Sequence, residues 1–136
     1  MTDKPVTLPT PLNELVSKAL QLCELMLPIS DVFYPFAAVH ENGRVGCIFS
    51  DETTSKKSES QLIEQLQWRI IDTTTDTSSF SVLVYAATVN TQNSKTLDAI
   101  AIAMTTPSNE ERLLLYPYYR VDGKVVISPP FDAVTR

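Results

Sequence analysis

The chain has 136 residues and a net charge of −5, with 43% hydrophobic and 20% charged residues. This composition is typical of a globular protein and excludes a disordered chain. The acidic charge argues against general binding to nucleic acid or to anionic membranes, because both need clustered Lys and Arg side chains. No run of residues reaches the length of a membrane helix and the N-terminus has no apolar leader segment, so we expect a cytoplasmic protein.

We expect a single domain over residues 10–136, behind a flexible arm of residues 1–9 that holds two prolines and no periodic pattern. The domain opens with a helix that begins at Thr10-Pro11 and ends before Pro28, since threonine is a good N-cap and proline suits the first turn. One wide apolar stripe at helical spacing predicts packing on a sheet. Its members are Leu12, Leu15, Val16, Ala19, Leu22, Cys23, Met26 and Leu27.

Two apolar runs flank an Asn-Gly pair at 42–43, which predicts a β-hairpin within residues 33–50. Asn-Gly readily adopts the positive φ angles of a two-residue type I′ turn. The register that follows has the opposite pairs Glu41–Arg44, His40–Val45 and Ala38–Cys47. Both faces of this hairpin are largely apolar, so we expect cover on both faces, by helices or by a partner chain.

The second half of the chain is predicted to form one helix followed by strands. Ser58 with Gln61 forms a capping box, which predicts a helix ending near Asp72 with Trp68 as a candidate for its buried side. Residues 80–89 are almost continuously apolar, as in a strand in the middle of a sheet. Further strands are predicted over 97–105 and 112–120. A hairpin at 122–123 then leads to a short edge strand that ends at 129–130, a Pro-Pro pair.

The predicted order is α-β-β-α-β-β-β-β, an α+β domain with two helices and a single antiparallel sheet of five to six strands. This order resembles the profilin-like architecture of roadblock and longin domains. A shared topology implies a fold but no shared function.

Three short motifs carry a second resemblance. They are FYPFA at 33–37 before the Asn-Gly turn, YPYYR at 116–120 before the Asp-Gly turn, and the closing Pro-Phe at 130–131. Over roughly two-thirds of the chain they are similar to a group of small bacterial proteins of uncharacterised function. The resemblance implies a bacterial source and one domain spanning the chain, and it brings no activity, cofactor or site residue.

The counts of glycine and histidine exclude several kinds of site. The chain has three glycines, Gly43, Gly46 and Gly123, whereas phosphate-binding Walker loops and dinucleotide-binding turns need clustered glycines. The single histidine, His40, excludes HExxH and three-histidine zinc sites, and no CxxC pair occurs. We therefore predict no metal, no cofactor and no catalytic residue.

The sharpest catalytic hypothesis is a thiol dyad, since His40 and Cys47 share one face of the hairpin as diagonal neighbours with Cβ atoms about 7 Å apart. A Cys–His hydrogen bond would need a third residue to orient the imidazole, and the sequence shows no obvious one. The simpler interpretation is a reduced core thiol, like Cys23, beside a histidine that reaches water. The dyad defines the alternative function, a small-molecule sensor or thiol enzyme with a pocket between the sheet and the second helix near Trp68, His40 and Cys47.

Tyr116, Tyr118 and Arg120 alternate onto one face of a strand. Tyrosine and arginine are enriched at interface hot spots, so these three are the candidate contacts, although tyrosines also simply cover sheet faces. The leading hypothesis is a non-enzymatic protein-binding or assembly module, expected to form a homodimer through a sheet edge or the first helix. A more specific form is an inhibitor or immunity protein whose acidic surface binds a basic partner.

Overall fold

The computed structural model describes residues 8–28, 35–41, 44–49, 59–73, 80–90, 95–105 and 111–132. Within these residues lie α1 (Thr10–Met26), β1 (Phe36–Glu41), β2 (Arg44–Phe49), α2 (Glu59–Thr73), β3 (Phe80–Asn90), β4 (Thr96–Thr105), β5 (Glu111–Val121), β6 (Lys124–Ile127) and β7 (Phe131–Asp132). The strands form one antiparallel sheet with the order β2-β1-β3-β4-β5-β6, and β7 pairs with β5. The predicted α+β class and element order are confirmed, with the two-residue β7 as an addition.

The predicted pairing of the first hairpin is confirmed. Glu41 lies opposite Arg44 and Ala38 lies opposite Cys47. β3 lies inside the sheet, between β1 and β4, as its apolar run predicts. Helices cover both faces of β1, since Ala38 packs on the α1 side and Ala37 on the α2 side.

The main core lies between α1 and one face of the sheet. Leu15, Ala19 and Cys23 of α1 are fully buried there. Every second residue of the inner strands packs against them, because side chains alternate between the two faces of a strand. The strand residues of this core are Phe36, Ala38, Val82, Val84, Ile100, Ile102, Met104, Leu114, Tyr116 and Tyr118.

A smaller core lies between α2 and the opposite face. Leu66 packs there with Ala37 and Leu83, at the level of β1 and β3. Trp68 is 60% exposed, so its predicted place on the buried side of this helix is wrong. α2 packs mainly on β1, β2 and β3, at one half of the sheet, and Ala103 of β4 borders this core.

The two ends of α1 are held by backbone and side-chain hydrogen bonds. Pro9 occupies the N-cap position and its carbonyl accepts from the Asn13 N–H at 2.9 Å, so the predicted capping by Thr10 is wrong. At the other end the Arg120 guanidinium of β5 donates to the Leu27 carbonyl. A cation at a helix C-terminus satisfies an orphan carbonyl and complements the helix dipole. Arg120 thus ties the end of α1 to β5.

The second hairpin has the predicted turn chemistry, with φ of 50° at Asp122 and 76° at Gly123. Positive φ at both central positions is the type I′ geometry that suits the twist of the flanking strands. The Asn-Gly turn at 42–43 and the capping-box residue Ser58 lie outside the described residues, as do residues 1–7 of the predicted arm. Leu8, which was predicted within that arm, packs against the main core.

Two leucines of α1 provide a matched test of this packing. Leu15 is fully buried, whereas Leu25 is 69% exposed on the same helix. We expect Leu15→Ala to lower the free energy of unfolding by about 2–5 kcal/mol, through lost burial and the cavity left behind. Leu25→Ala should change it by less than about 0.5 kcal/mol. Urea unfolding monitored by circular dichroism measures both, and equal effects would contradict the placement of α1.

Candidate functional site

The candidate contact residues Tyr116 and Tyr118 lie in the main core, each 6% exposed. Burial raises the pKa of both hydroxyls. The prediction that they share a face with Arg120 is correct, but the prediction of a surface position for the two tyrosines is wrong, because α1 covers that face. Arg120 lies at the margin of this face, with its guanidinium carbon 5.9 Å from the centre of the Tyr118 ring.

The opposite face of β5, together with β6 and β7, carries exposed apolar side chains that the sequence analysis missed. Tyr119, Val121, Val126 and Phe131 are 44 to 52% exposed, and we call these four residues the C-terminal surface. Tyr119 lies opposite Val126 on β6, and Phe131 of β7 lies opposite Leu115 of β5. The register places all four on the α2 side of the sheet, beyond the strands that α2 packs on. Because side chains alternate along a strand, the sequence predicts Tyr119 and Tyr118 on opposite faces of β5. Nothing in the sequence indicates which of the two faces α1 covers.

An ion pair holds the outer part of the C-terminal surface in place. The Arg112 guanidinium donates to both carboxylate oxygens of Asp132, at 2.7 and 2.8 Å. Asp132 follows Phe131 in β7, so the ion pair fixes this two-residue strand against β5. The hydrogen bonds from Arg112 also lower the pKa of Asp132.

His40 has a partner that the sequence analysis did not identify. His40 Nε2 donates to Glu14 Oε2 of α1 at 3.1 Å, and the imidazole is largely buried, with 15% of the side chain exposed. Glu14 lies on the water-facing side of the predicted helix, so its position gave no signal of this contact. Cys47 lies on the same side of the sheet, the α1 side, as a free, half-buried thiol that packs against the main core. The predicted position of these two residues beside the second helix is therefore wrong. The structure thus supplies a carboxylate that can orient the imidazole.

A shallow groove of about 460 Å³ lies next to this pair, between α1 and β2. It is lined by Asn13, Glu14, Ser17, Lys18, Gln21 and Val45. Ligand pockets for small molecules are enclosed and mostly apolar, whereas this groove is open and mostly polar. Among the residues that the structure describes, no three His, Cys, Asp or Glu side chains are grouped as metal ligands would be. Neither of the described helices has the length and apolarity to cross a membrane.

Acidification tests the role of the ion pair at β7. A carboxyl group whose pKa is lower in the folded state stabilises the fold above its unfolded pKa of about 3.9, and this stabilisation is lost as pH falls through the folded value. We therefore expect β7 to pair with β5 at neutral pH and to loosen below about pH 4. Nuclear Overhauser effects between Phe131 and Leu115 measure this pairing. They should already be weak at neutral pH in Asp132→Asn, and full intensity in that variant would contradict the assignment.

The chain was compared with protein-family models, with curated proteins and with solved structures, and none of the three comparisons finds a match.

Proposed function

We propose that this chain is a non-enzymatic protein-binding module and that the C-terminal surface is its contact site. The observation that carries this proposal is that four apolar side chains, each about half exposed, lie on one face of β5, β6 and β7. They are Tyr119, Val121, Val126 and Phe131. Contact between apolar side chains and water is unfavourable, and burial against a partner relieves it. Several exposed apolar side chains on one face mark an interaction site more often than single scattered ones do.

The composition of the surface supports a protein partner. Tyr119 and Phe131 are aromatic residues, which dominate the energetics of interfaces, and a tyrosine hydroxyl can remain hydrogen-bonded at the rim. Exposed charges at Asp122 and Lys124 flank the apolar residues, which matches the polar rim around an apolar interface centre. The net charge of −5 favours a basic partner through steered association, which is the inhibitor-like form of the proposal.

A photo-crosslinking experiment tests this site and captures the partner in the same step. Benzoylphenylalanine is placed at Tyr119, with the exposed Gln67 of α2 as the control position, and the protein is expressed in the cells it comes from. We expect a defined protein adduct from position 119 and none from position 67. The adduct protein is then purified, and its affinity for the chain is measured by calorimetry.

In that measurement Val126→Glu should weaken binding by at least roughly tenfold, because it places a charge in the apolar contact. The matched control is Leu25→Glu, which makes the same kind of change at an exposed leucine of α1. Equal affinity in both variants, or equal adducts from positions 119 and 67, would overturn the proposal.

The contact between His40 and Glu14 favours a second candidate function, thiol chemistry at Cys47. In this candidate function Glu14 orients the imidazole and His40 acts as the base that activates the thiol. This function requires the imidazole of His40 to approach the thiol of Cys47. The two residues are diagonal neighbours, because Val45 lies directly opposite His40 and Cys47 is two residues further along β2. Thiol chemistry ranks second because the neighbouring groove is open and polar.

Alkylation kinetics separate the two candidate functions. Burial raises the pKa of Cys23 to about 12, so this thiol should stay unlabelled by iodoacetamide in the folded protein at neutral pH. Cys47 provides the signal, read by mass spectrometry of the intact chain. A non-enzymatic module predicts an ordinary or slow rate that His40→Gln leaves unchanged. A fast rate that is lost in His40→Gln would instead support thiol chemistry.

A further inference from the structure

Among the described residues, β2 forms the edge of the sheet opposite to the C-terminal surface, and its sequence lacks the features that usually protect an edge strand. Natural edge strands are kept apart by prolines, lysines, bulges or very short length. β6 and β7 follow this rule, since the Pro-Pro pair at 129–130 separates them and Lys124 begins β6. β2 has six residues, contains no proline, carries its one charge at Arg44 and pairs with β1 without interruption. Its Gly46 faces open space.

The hairpin register determines which backbone groups of β2 point away from β1. Two residues separate Glu41 from Arg44, and the pair that closes such a hairpin is hydrogen-bonded. Hydrogen-bonded and non-hydrogen-bonded pairs then alternate along an antiparallel ladder. The N–H and C=O groups of Val45, Cys47 and Phe49 therefore point outward, and their side chains all lie on the α1 side.

One hydrogen bond agrees with this assignment. The Arg69 guanidinium of α2 donates to the Phe49 carbonyl at 3.1 Å, from outside the β1–β2 ladder. A carbonyl oxygen has a second lone pair, so this contact still allows a strand hydrogen bond.

We infer that β2 pairs antiparallel with β2 of a second copy of this chain, around a two-fold axis at Cys47. In this register Cys47 lies opposite Cys47 of the second copy, and Val45 lies opposite Phe49. Val45 and Phe49 are 39% and 51% exposed in one chain. In this register Val45 of each copy packs against Phe49 of the other. If the second copy were shifted by two residues toward its turn, Val45 would lie opposite Cys47 of that copy. Phe49 would then have no apolar side chain opposite it. The result is one continuous sheet with both α1 helices on the same face.

The surface beside β2 is self-complementary in charge, as a two-fold interface requires. The α1 side of the groove carries Glu14 and Lys18 one helical turn apart, and Val45 of β2 completes its lining. Two α1 helices related by the axis run antiparallel. The acidic position of one helix therefore approaches the basic position of the other. Opposite charges at this spacing favour a second copy over an unrelated strand.

This inference concerns a different edge from the proposed partner site and does not depend on it. The test measures the mass of the native chain by sedimentation equilibrium. The expected value is twice the 15.1 kDa of one chain. A short bis-maleimide should then join two chains through Cys47, because Cβ atoms of directly opposite residues are about 5 Å apart. Cys47→Ser should lose this product, since Cys23 is buried.

The deciding variant is Val45→Glu, which places two like charges in the apolar contact and should increase the dimer dissociation constant by at least roughly tenfold. Val126→Glu makes the same change at a valine of the other edge that is even more exposed, at 52% against 39% for Val45, and should leave the dimer intact. Circular dichroism and urea unfolding check that both variants fold. A monomeric native chain overturns the inference. So does a dimer that Val126→Glu disrupts and Val45→Glu does not, or one that crosslinks without Cys47.

Discussion

The constraint on which the rest of this structure depends is the burial of β1 and β3 on both faces. Ala37 and Ala38 are adjacent in β1, point to opposite sides and are both fully buried. Such strands need cover on each side, because every apolar side chain left in water costs free energy. The chain provides that cover with one helix before the first hairpin and one after it. α1 and α2 therefore lie on opposite faces, and the sheet is their common support.

The cover is uneven, and the candidate sites follow from this. α1 reaches from β1 to β5: Glu14 in its first half contacts His40 on β1, and the carbonyl of Leu27, directly after the helix, accepts from Arg120 on β5. Among the described strands, α2 packs mainly on β1, β2 and β3, and its small core also includes Ala103 of β4. On the α2 side, β5, β6 and β7 therefore retain half-exposed apolar side chains, whereas Leu114, Tyr116 and Tyr118 on the α1 side of β5 are buried. The difference between Tyr118 and Tyr119, neighbours in sequence, results from the different reach of the two helices.

The sequence predicted those features that local chemistry determines. The place of the Asn-Gly pair in the sequence predicted how β1 pairs with β2, and the Asp-Gly turn sets how β5 pairs with β6. The continuous apolar run of β3 predicted its position inside the sheet. The sequence did not predict features that depend on how far an element extends in space. Tyr116 and Tyr118 share a face by alternation, but their burial depends on α1. The contact of Glu14 with His40 joins residues 26 positions apart, so no spacing rule can reveal it.

The two proposed contacts use opposite edges and opposite faces of the sheet, so each can form without the other. Val45 and Phe49 lie on the α1 side of β2, whereas the C-terminal surface lies on the α2 side of β5, β6 and β7. A dimer paired through β2 would carry one C-terminal surface at each end of its continuous sheet. Two such surfaces on one rigid body raise the effective concentration of the second contact once the first has formed. Self-pairing would then strengthen binding to a repetitive or dimeric partner and leave the affinity of a single surface unchanged.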